Sequence, residues 1–300
     1  MKILVTGVFP LDEYRRSALE ELGAELTFHK DERLPVENPE QFEAVICNGL
    51  FTFQDIAAFS NLKYIQLTSA GMDRVPMDYI RAHGITIRNA AGVYSVPMAE
   101  WTVLRLLELM KNAPAMQDNQ RNTRWEKDRN WLELAGRTAC IVGFGAYGVE
   151  TAKRLKAFGM DVLAVNRSVK DSPFVDRWYT LEQLEEALAE ADAVILAVAL
   201  TERTRDLMSR ARLEQMKRGA VLINAARGGL LDEDALVEAL NDGILAGAAL
   251  DVFRTEPLPE NSPLWHHPRV LLSPHNSFVG DKNNTRLTNI VLNNLQTWRK

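Results

Sequence analysis

Blocks of apolar residues alternate with amphipathic blocks along this chain, and the alternation predicts short buried strands separated by helices. In residues 1–93 four apolar runs predict strands, at Ile3–Val5, Ala44–Cys47, Lys63–Leu67 and Ile85–Ile87. A helix is predicted from Leu11 to Leu22, because Gly23 supplies a C-terminal stop. Short apolar strands that alternate with helices indicate a parallel sheet covered on both faces. The first part of the chain is therefore predicted to be a small α/β domain.

A long helix is predicted to begin near Ser95, because Pro97 is acceptable in a first turn and an apolar stripe follows. The stripe has helical spacing and consists of Val103, Leu106, Leu107 and Met110. Residues 112–135 are polar, contain Trp125 and Trp131, and are predicted to form a connecting arm. These tryptophans either form a subunit contact or anchor the arm to its own domain.

A second α/β unit is predicted to begin at Gly136. Its helix starts are marked by a capping-box pattern of Thr180 with Gln183, by Ser209 and by Asp232. Strongly apolar runs predict its late strands, at Ala193–Val198, Ala220–Ile223, Ala246–Val252 and Val270–Leu272. This order predicts a doubly wound sheet that binds its ligand at the carboxyl ends of the strands. One more helix is predicted in the tail, with an apolar face of Leu287, Ile290, Val291, Leu295 and Trp298.

A glycine motif stands near the start of this second unit. An apolar run, Ala139–Val142, meets Gly143, Gly145 and Gly148 in the spacing G-x-G-x-x-G, and a helical pattern and a second apolar run follow. The first glycine allows a sharp turn, the second admits a pyrophosphate, and the third lets the helix pack closely on the strand. The flanking strand and helix favour a dinucleotide site over an ordinary glycine-containing turn.

The composition is that of an ordinary globular protein, with 46% hydrophobic residues, 25% charged residues and a formal net charge of −5. No cluster of basic residues suggests nucleic-acid binding, no metal site is suggested, and no apolar run approaches the ~20 residues that span a bilayer. Cys47 and Cys140 lie in apolar runs, so buried free thiols are predicted. The N-terminal residues MKILVTG show no signal-peptide pattern, and a cytoplasmic location is expected.

Three stretches that follow the late strands carry candidate chemical groups. Arg227 stands in INAARGGLLDEDAL, Asp251 and Glu256 stand in ALDVFRTEPLPENSPLW, and His275 stands in LLSPHNS. Taken singly, Arg227 is compatible with a surface ion pair, Glu256 with a solvated loop charge, and His275 with a structural role. Together, at the strand ends of a nucleotide-binding sheet, they favour a ligand site.

Linked motifs over essentially the whole chain resemble the D-isomer-specific 2-hydroxyacid dehydrogenase family. They are LTSAGMD, NAAGVYSVPMAEW, GFGAYG, INAARGGLLDEDALVEAL, AGAALDVFRTEPLP, SPLWHHP and SPHNS, in the family's order and spacing. The resemblance implies an α/β fold of two doubly wound parallel-sheet domains. A discontinuous, flavodoxin-like substrate domain would comprise residues 1–94 and 277–300, and a Rossmann NAD(P)-binding domain residues 95–276. A homodimer is also implied, with an arm like residues 112–135 contributing.

The resemblance further implies hydride transfer between a nicotinamide cofactor and a small 2-oxo acid, which gives the D-2-hydroxy acid. His275 would be the general acid, and Glu256 beside it would favour the protonated imidazole. Arg227 would hold the substrate carboxylate or carbonyl, and the amides of Ala70 and Gly71 would cradle the carboxylate. The implied cofactor-binding residues also include Ala146 and Tyr147 at the pyrophosphate turn and Ala225 and Asp251 near the nicotinamide.

The sequence departs from the family's NAD-dependent pattern about 20 residues after the glycines, where an acidic residue normally binds the ribose hydroxyls. Here the second strand ends in Asn166, Arg167 and Ser168. No carboxylate repels a 2′-phosphate and Arg167 is able to pair with one, so NADP is favoured over NAD. The alternative is a solvated Arg167 and NAD bound without the acid.

The loop Cys47-Asn48-Gly49-Leu50-Phe51 bears on the substrate. It lacks the arginine with which phosphoglycerate dehydrogenases commonly hold a phosphate, which disfavours a phosphorylated substrate. Leu50 and Phe51 are either an apolar wall or core residues. The leading hypothesis is an NADP(H)-dependent reductase of the glyoxylate/hydroxypyruvate or a related type.

Two other classes of protein are alternatives to this reductase. A redox-sensing, NAD(H)-binding regulatory protein resembling the corepressors of this fold is the main alternative, since such proteins retain the Arg, Glu and His set. A formate dehydrogenase-like enzyme is disfavoured, because that subgroup pairs its histidine with Gln, whereas Glu256 stands here.

Overall fold

The computed structural model describes residues 1–169 and 171–299, so Lys170 and Lys300 lie outside the described part of the predicted domains. The chain forms two compact units. Unit 1 comprises Met1–Tyr94 and Gly280–Lys300, and unit 2 comprises Ser95–Val279. Each unit contains one parallel sheet with helices between its strands, which confirms the predicted α/β fold class.

Unit 1 is built on a five-stranded parallel sheet in the order β2-β1-β3-β4-β5. Its strands are β1 (Lys2–Thr6), β2 (Glu25–His29), β3 (Ala44–Cys47), β4 (Tyr64–Leu67) and β5 (Thr86–Arg88). The helices between them are α1 (Glu13–Glu21), α2 (Leu50–Phe53) and α3 (Met77–Ala82). The apolar pattern does not predict β2, because this strand lies at the sheet edge and none of its residues is buried.

Unit 2 is built on a seven-stranded parallel sheet in the order β12-β11-β10-β9-β6-β7-β8. Its strands are β6 (Thr138–Val142), β7 (Asp161–Val165), β8 (Arg177–Tyr179), β9 (Ala193–Leu196), β10 (Ala220–Asn224), β11 (Leu245–Leu250) and β12 (Val270–Leu272). Its helices are α4 (Ser95–Met110), α5 (Ala113–Arg121), α6 (Ala146–Ala157), α7 (Leu184–Glu190), α8 (Arg210–Glu214) and α9 (Glu233–Asn241). The strand order reverses between β6 and β9, which places a topological switch point at the end of β6.

The central strands of unit 2 are apolar on both faces because both faces are covered. In β9, Val194 and Leu196 belong to one apolar cluster, whereas Ala193 and Ile195 belong to another, and all are fully buried. The first cluster includes residues of α7 and α9, and the second includes residues of α4 and α6. Continuous apolar runs are typical of such strands, which is why the sequence predicts them well.

The predicted helix starts are largely formed. Thr180 and Gln183 make both bonds of the capping box, which opens a short 3₁₀ turn before α7. The Asp232 carboxylate accepts a hydrogen bond from the Ala235 N–H at the start of α9. Ser209 precedes α8 but makes no capping hydrogen bond. The predicted arm contains α5, a helix that the sequence pattern misses because it buries no residue.

The tail forms α10 (Asn283–Trp298), which packs into the core of unit 1. Its apolar face contributes three buried residues to that core, Leu287, Val291 and Leu295. The ring of Trp298 lies 4.7 Å from the ring of Tyr64 in β4, centroid to centroid. This helix is therefore a structural part of unit 1, although it follows unit 2 in the sequence.

Cys47 and Cys140 are free and buried, as predicted. Burial raises the pKa of the Cys140 thiol to about 12. Within residues 1–169 and 171–299, no helix combines the length and the apolar character needed to span a bilayer. The same residues contain no group of at least three His, Cys, Asp or Glu side chains placed to hold a metal ion.

Candidate active site

Two glycines of the motif after β6, one in the turn and one in α6, are required by the packing of the chain itself. Gly143 has a φ of +101°, and a Cβ there would lie 2.6 Å from the backbone of Ala197, just after β9. A Cβ on Gly148 would lie 2.4 Å from the carbonyl oxygen of Gly143. These glycines allow the turn to pass close to β9 and to α6.

Gly145 differs, because a Cβ there would have no heavy atom within 4 Å. It is the N-cap of α6 and offers no side chain to cap the helix. The N–H groups of the first turn, at Ala146 and Tyr147, thus have no helical carbonyl partner. Open space in front of uncapped amides at a helix N-terminus fits the oxygens of a pyrophosphate, so these residues suit a dinucleotide.

The side chain of Tyr147 turns into the core rather than toward a ligand. Its hydroxyl lies 2.6 Å from the Thr102 hydroxyl of α4, and burial raises its pKa well above the ordinary value. Only the backbone of Tyr147 is therefore suited to cofactor binding, and the side chain anchors the turn against α4.

Asn166, Arg167 and Ser168 follow β7 at the same edge of the sheet. The Asn166 side-chain amide donates to the Ser168 carbonyl over 2.8 Å, and the Asn166 N–H donates to the Tyr179 carbonyl over 3.0 Å. Arg167 and Ser168 are exposed. Arg167 makes no ion pair with another described residue, which leaves its guanidinium available to an external anion.

Ala225 and Asp251 follow the neighbouring strands β10 and β11, and both are buried. The Asp251 carboxylate accepts hydrogen bonds from the Ser273 hydroxyl over 2.5 Å, from the Asn276 N–H over 2.8 Å and from the Ser277 N–H over 2.9 Å. This buried charge therefore organises the whole loop after β12, which is the loop that carries His275.

His275 stands in this loop in the left-handed region, with a φ of +50°. Its N–H donates to the Asp251 carbonyl over 2.8 Å, and its Nδ1 lies 2.8 Å from Oε2 of Glu256. The other Glu256 oxygen accepts from the Phe253 N–H over 3.0 Å. The two side chains are about one-third exposed, at 33% and 36%. The pair leaves Nε2 of His275 to exchange a proton with a ligand.

Arg227 follows β10, beside the loop that leads to Glu256. Its backbone carbonyl accepts from the Asn224 amide over 3.0 Å, and its guanidinium donates to the Ala226 carbonyl over 2.8 Å. A Cβ on Gly228 would lie 1.9 Å from the backbone of Phe253. The close approach at Gly228 is thus what brings the Arg227 segment against the Glu256 segment.

Ala70 and Gly71 lie in unit 1, in the loop after β4. The Ser69 hydroxyl donates to the Gly71 carbonyl over 2.9 Å, and the Asn89 amide donates to the Ala70 carbonyl over 2.6 Å. No hydrogen bond among the described residues uses the N–H of Ala70 or of Gly71. The loop is therefore held by its carbonyls and keeps two backbone donors for a ligand.

The apolar side chains of the loop after β3 lie in the core of unit 1. Leu50 is fully buried in the core of unit 1, and Phe51 packs partly buried on Phe59, so both are core residues. The loop itself contains no arginine, but an arginine of another loop lies near it. The Cδ atom of Arg74, from the loop after β4, would lie 3.9 Å from a Cβ on Gly49.

Sequence reasoning missed the residues that hold the site in place. Ser273, Asn276 and Ser277 bind Asp251, and Thr102 binds Tyr147. The SPHNS motif contains three of these positions, but its backbone and hydroxyl partners follow only from the placement of β11 beside β12.

The chain is similar to known proteins of one enzyme family. Residues 103–277 match the family profile "D-isomer specific 2-hydroxyacid dehydrogenase, NAD binding domain". A glyoxylate reductase from Thermofilum pendens is 32% identical over 315 residues, covering 98% of this chain and 90% of that enzyme. The chain belongs to the D-isomer specific 2-hydroxyacid dehydrogenase family. It is an oxidoreductase of the type that acts on 2-hydroxy and 2-oxo acids with a nicotinamide dinucleotide.

Two further similarities bear on substrate and cofactor. A D-3-phosphoglycerate dehydrogenase from Methanocaldococcus jannaschii is 34% identical over 92% of this chain, which spans 53% of that enzyme. The crystal structure of a D-isomer specific 2-hydroxyacid dehydrogenase from Xanthobacter autotrophicus Py2, in complex with NADPH and MES, matches with a TM-score of 0.81. It is 29% identical, and the match covers 99% of this chain and 95% of that one.

Proposed function

We propose that this protein reduces a small 2-oxo acid to the D-2-hydroxy acid with NADPH, and that His275 is the general acid. The observation that carries the proposal is the 2.8 Å contact between Nδ1 of His275 and Oε2 of Glu256. This pair follows β11 and β12, at the carboxyl edge of the sheet that also carries the glycine turn. Membership of the family supports the reaction class.

The chain offers the groups that a dinucleotide needs. A bound nicotinamide dinucleotide supplies a hydride. Open space at Gly145 admits a pyrophosphate, and the N–H groups of Ala146 and Tyr147 bind its oxygens. We assign Ala225 and Asp251 to the nicotinamide end, because they follow strands on one side of the switch point.

His275 provides the proton for the reaction. Reduction of a carbonyl places negative charge on its oxygen, and a positioned acid lowers the barrier by protonating that oxygen as the charge develops. Nε2 of His275 donates this proton, while the Glu256 carboxylate accepts a hydrogen bond from Nδ1–H and stabilises the positively charged ring. In the oxidative direction the same nitrogen takes the proton from the hydroxyl.

Two sets of donors bind the substrate carboxylate in this proposal. The planar guanidinium of Arg227 offers paired donors that match a carboxylate or the adjacent carbonyl. The backbone amides of Ala70 and Gly71 add neutral donors, which the carbonyl contacts of Ser69 and Asn89 leave available. The Arg227 guanidinium suits a carboxylate or a carbonyl, and the two amides of unit 1 suit a carboxylate.

The preference for NADP over NAD rests on the end of β7. Arg167 is exposed and makes no ion pair with another described residue, and Asn166 stands where NAD-dependent enzymes carry an acid. The Xanthobacter autotrophicus enzyme, which has a similar fold, binds NADPH. We further propose a homodimer to which the arm of residues 112–135 contributes, since Trp125 in that arm is 95% exposed.

The test is oxidation of NADPH, followed by absorbance, with a panel of glyoxylate, hydroxypyruvate, pyruvate and branched-chain 2-oxo acids. Turnover of at least one of them to the D-hydroxy acid is expected. Tight NADPH binding without turnover on any member would contradict the proposed reaction and favour a cofactor-sensing role. Light scattering tests the dimer, which should have twice the 33.8 kDa mass of the chain.

A further inference from the structure

A carboxylate of the chain itself occupies the crevice at the switch point of unit 1. The strand order of this sheet reverses between β1 and β3, and open α/β sheets commonly bind ligands beyond the carboxyl ends of two such strands. Here Glu32, from the loop after β2, places its oxygens against Thr6, the last residue of β1, and against the two residues that follow β3.

The contacts of Glu32 are those of a bound anion. Its Oε1 accepts hydrogen bonds from the Thr6 hydroxyl and from the Asn48 N–H, and its Oε2 accepts one from the Gly49 N–H, each over 2.7 Å. Glu32 forms no ion pair within the described part of the chain, so these donors compensate its charge. Hydrogen bonds to an ionised carboxylate are about twice as strong as neutral ones.

Contacts of the backbone around Glu32 hold this carboxylate in the crevice. A Cβ on Gly7, just after β1, would lie 2.2 Å from the Lys30 carbonyl oxygen, so only glycine permits this approach. The Gln54 side chain, just after α2, donates to the Leu34 carbonyl over 2.9 Å. The loop that carries Glu32 is therefore fixed on both sides of the residue.

The two residues that Glu32 holds follow a strand that is adjacent to the strand leading to the proposed substrate amides. β3 and β4 are neighbours, with Cys47 opposite Leu67, and the Thr68 N–H donates to the Cys47 carbonyl over 2.8 Å. The loop of Asn48 and Gly49 and the loop of Ala70 and Gly71 thus leave adjacent strands at one edge of one sheet.

We propose that Glu32 is a positioning residue for the substrate: it fixes Asn48 and Gly49 so that their loop shapes the surface beside Ala70 and Gly71. The inference rests on the proposed function, because it takes those amides as donors to the substrate carboxylate. Glu32 acts through the loop and not by touching the substrate. The other end of the loop is fixed by Leu50, which is fully buried in the core.

Two nearly isosteric variants separate positioning from stability. Glu32→Gln keeps the shape of the side chain and one acceptor oxygen. It replaces the other oxygen by an NH₂ group, a donor that then faces the N–H of Gly49 or of Asn48. Thr6→Val removes only the buried hydroxyl and leaves both loop contacts in place. Glu32→Gln should raise KM for the 2-oxo acid about tenfold, as for one lost charged hydrogen bond. KM for NADPH should stay the same, and Thr6→Val should leave both KM values unchanged while lowering Tm.

A binding measurement makes the test independent of turnover. Calorimetry with oxamate, an unreactive analogue of a 2-oxo acid, and saturating NADPH should show the same tenfold loss of affinity in Glu32→Gln. Glu32→Asp, which keeps the charge but withdraws it from the loop, should show the loss if the Gln variant does not fold. Equal oxamate affinity in the wild type and the folded Glu32 variant, or an equal loss in Thr6→Val, would overturn the proposal. Absence of turnover in a wild type that binds oxamate would instead contradict only the proposed reaction.

Discussion

Glu256 holds the imidazole of His275 through Nδ1, at 2.8 Å, while a second carboxylate, that of Asp251, holds the backbone on which His275 stands. Glu256 is about one-third exposed, whereas Asp251 is fully buried. The position of the imidazole is thus fixed through its ring and through its main chain independently. Such double support is what a proton donor needs if it is to meet a carbonyl oxygen in one orientation.

The first prediction concerns this pair. His275→Ala should lower kcat by about 10²–10⁴-fold, the usual contribution of a positioned general acid. Glu256→Gln should lower kcat by less, because the amide oxygen still accepts from Nδ1–H but no longer carries a charge. Steady-state kinetics with saturating NADPH measures both effects, and fluorescence titration should show unchanged NADPH affinity. Glu260→Gln, an exposed carboxylate nearby in the same loop, is the matched control and should behave as the wild type.

The second prediction separates glycines needed for folding from the glycine needed for the cofactor. Gly148→Ala should lower the free energy of unfolding by about 1–3 kcal/mol, because its Cβ would overlap the Gly143 carbonyl oxygen. Gly145→Ala should leave that free energy nearly unchanged but weaken NADPH binding at least tenfold, because the added Cβ would meet no other part of the protein but would take up space proposed for the pyrophosphate. Urea denaturation and fluorescence titration measure the two quantities. If Gly145→Ala binds NADPH as tightly as the wild type does, the pyrophosphate does not bind at this turn.

The third prediction concerns Arg167 and the choice of cofactor. Arg167→Ala should reduce the ratio of kcat/KM for NADPH to that for NADH by tenfold to about 100-fold, the loss of a charged hydrogen bond to a 2′-phosphate. Arg203→Ala, another exposed arginine of unit 2, should leave the ratio unchanged. If the wild type prefers NADH and Arg167→Ala does not alter that preference, the assignment to NADP is wrong.

The fourth prediction is a pH dependence of stability that arises from Asp192. Burial raises the pKa of this carboxyl, but hydrogen bonds from Lys217 and the Thr138 N–H, with the Lys217 and Arg137 charges, outweigh burial and hold the pKa below 3.8. A group with a lowered folded-state pKa stabilises the protein above its unfolded pKa, and this stability is lost as pH falls through the folded value. Asp192→Asn should therefore cost about 1 kcal/mol at pH 7, allowing for solvent screening.

That cost should shrink as the pH is lowered below 3.8, because the unfolded wild type then binds a proton that the folded protein takes up only at still lower pH. Urea denaturation at pH 7, 5 and 3 measures the difference in unfolding free energy between wild type and variant. Asp118→Asn, which removes an exposed pair with Arg121, is the control and should have little effect at any of these pH values. A cost of Asp192→Asn that is the same at pH 7 and pH 3 would contradict the ionic origin.

Much of the architecture could be predicted from the sequence because parallel sheets bury their central strands on both faces. Runs such as Ala44–Cys47 and Val270–Leu272 agree with the observed strands residue for residue. The edge strands β2 and β8 could not be predicted, because their polar residues, such as Arg177, are equally compatible with an exposed edge strand and with a loop. A pattern of apolar residues indicates buried strands, and these two strands are barely buried.

The candidate site could likewise be predicted only in part. His275, Glu256 and Arg227 could be singled out because charged groups after apolar strands point to a ligand edge. The hydrogen bonds of Asp251 to Asn276 and Ser277 could not, because they join residues of different loops through backbone atoms that every residue possesses. Arg74 was missed for a related reason, as it reaches Gly49 from a loop that begins after another strand.

The place of α10 has a consequence for how the protein is made. The helix supplies Leu287, Val291 and Leu295 to the cluster that also contains Ile3 and Val5 of the first strand. During synthesis, domains generally fold as units, the N-terminal one first. Here the N-terminal unit lacks part of its core until residues 283–298 have left the ribosome, whereas every residue of unit 2 has already been translated. Unit 1 therefore begins to be translated first but is completed last, and part of its apolar core stays uncovered until α10 has been made.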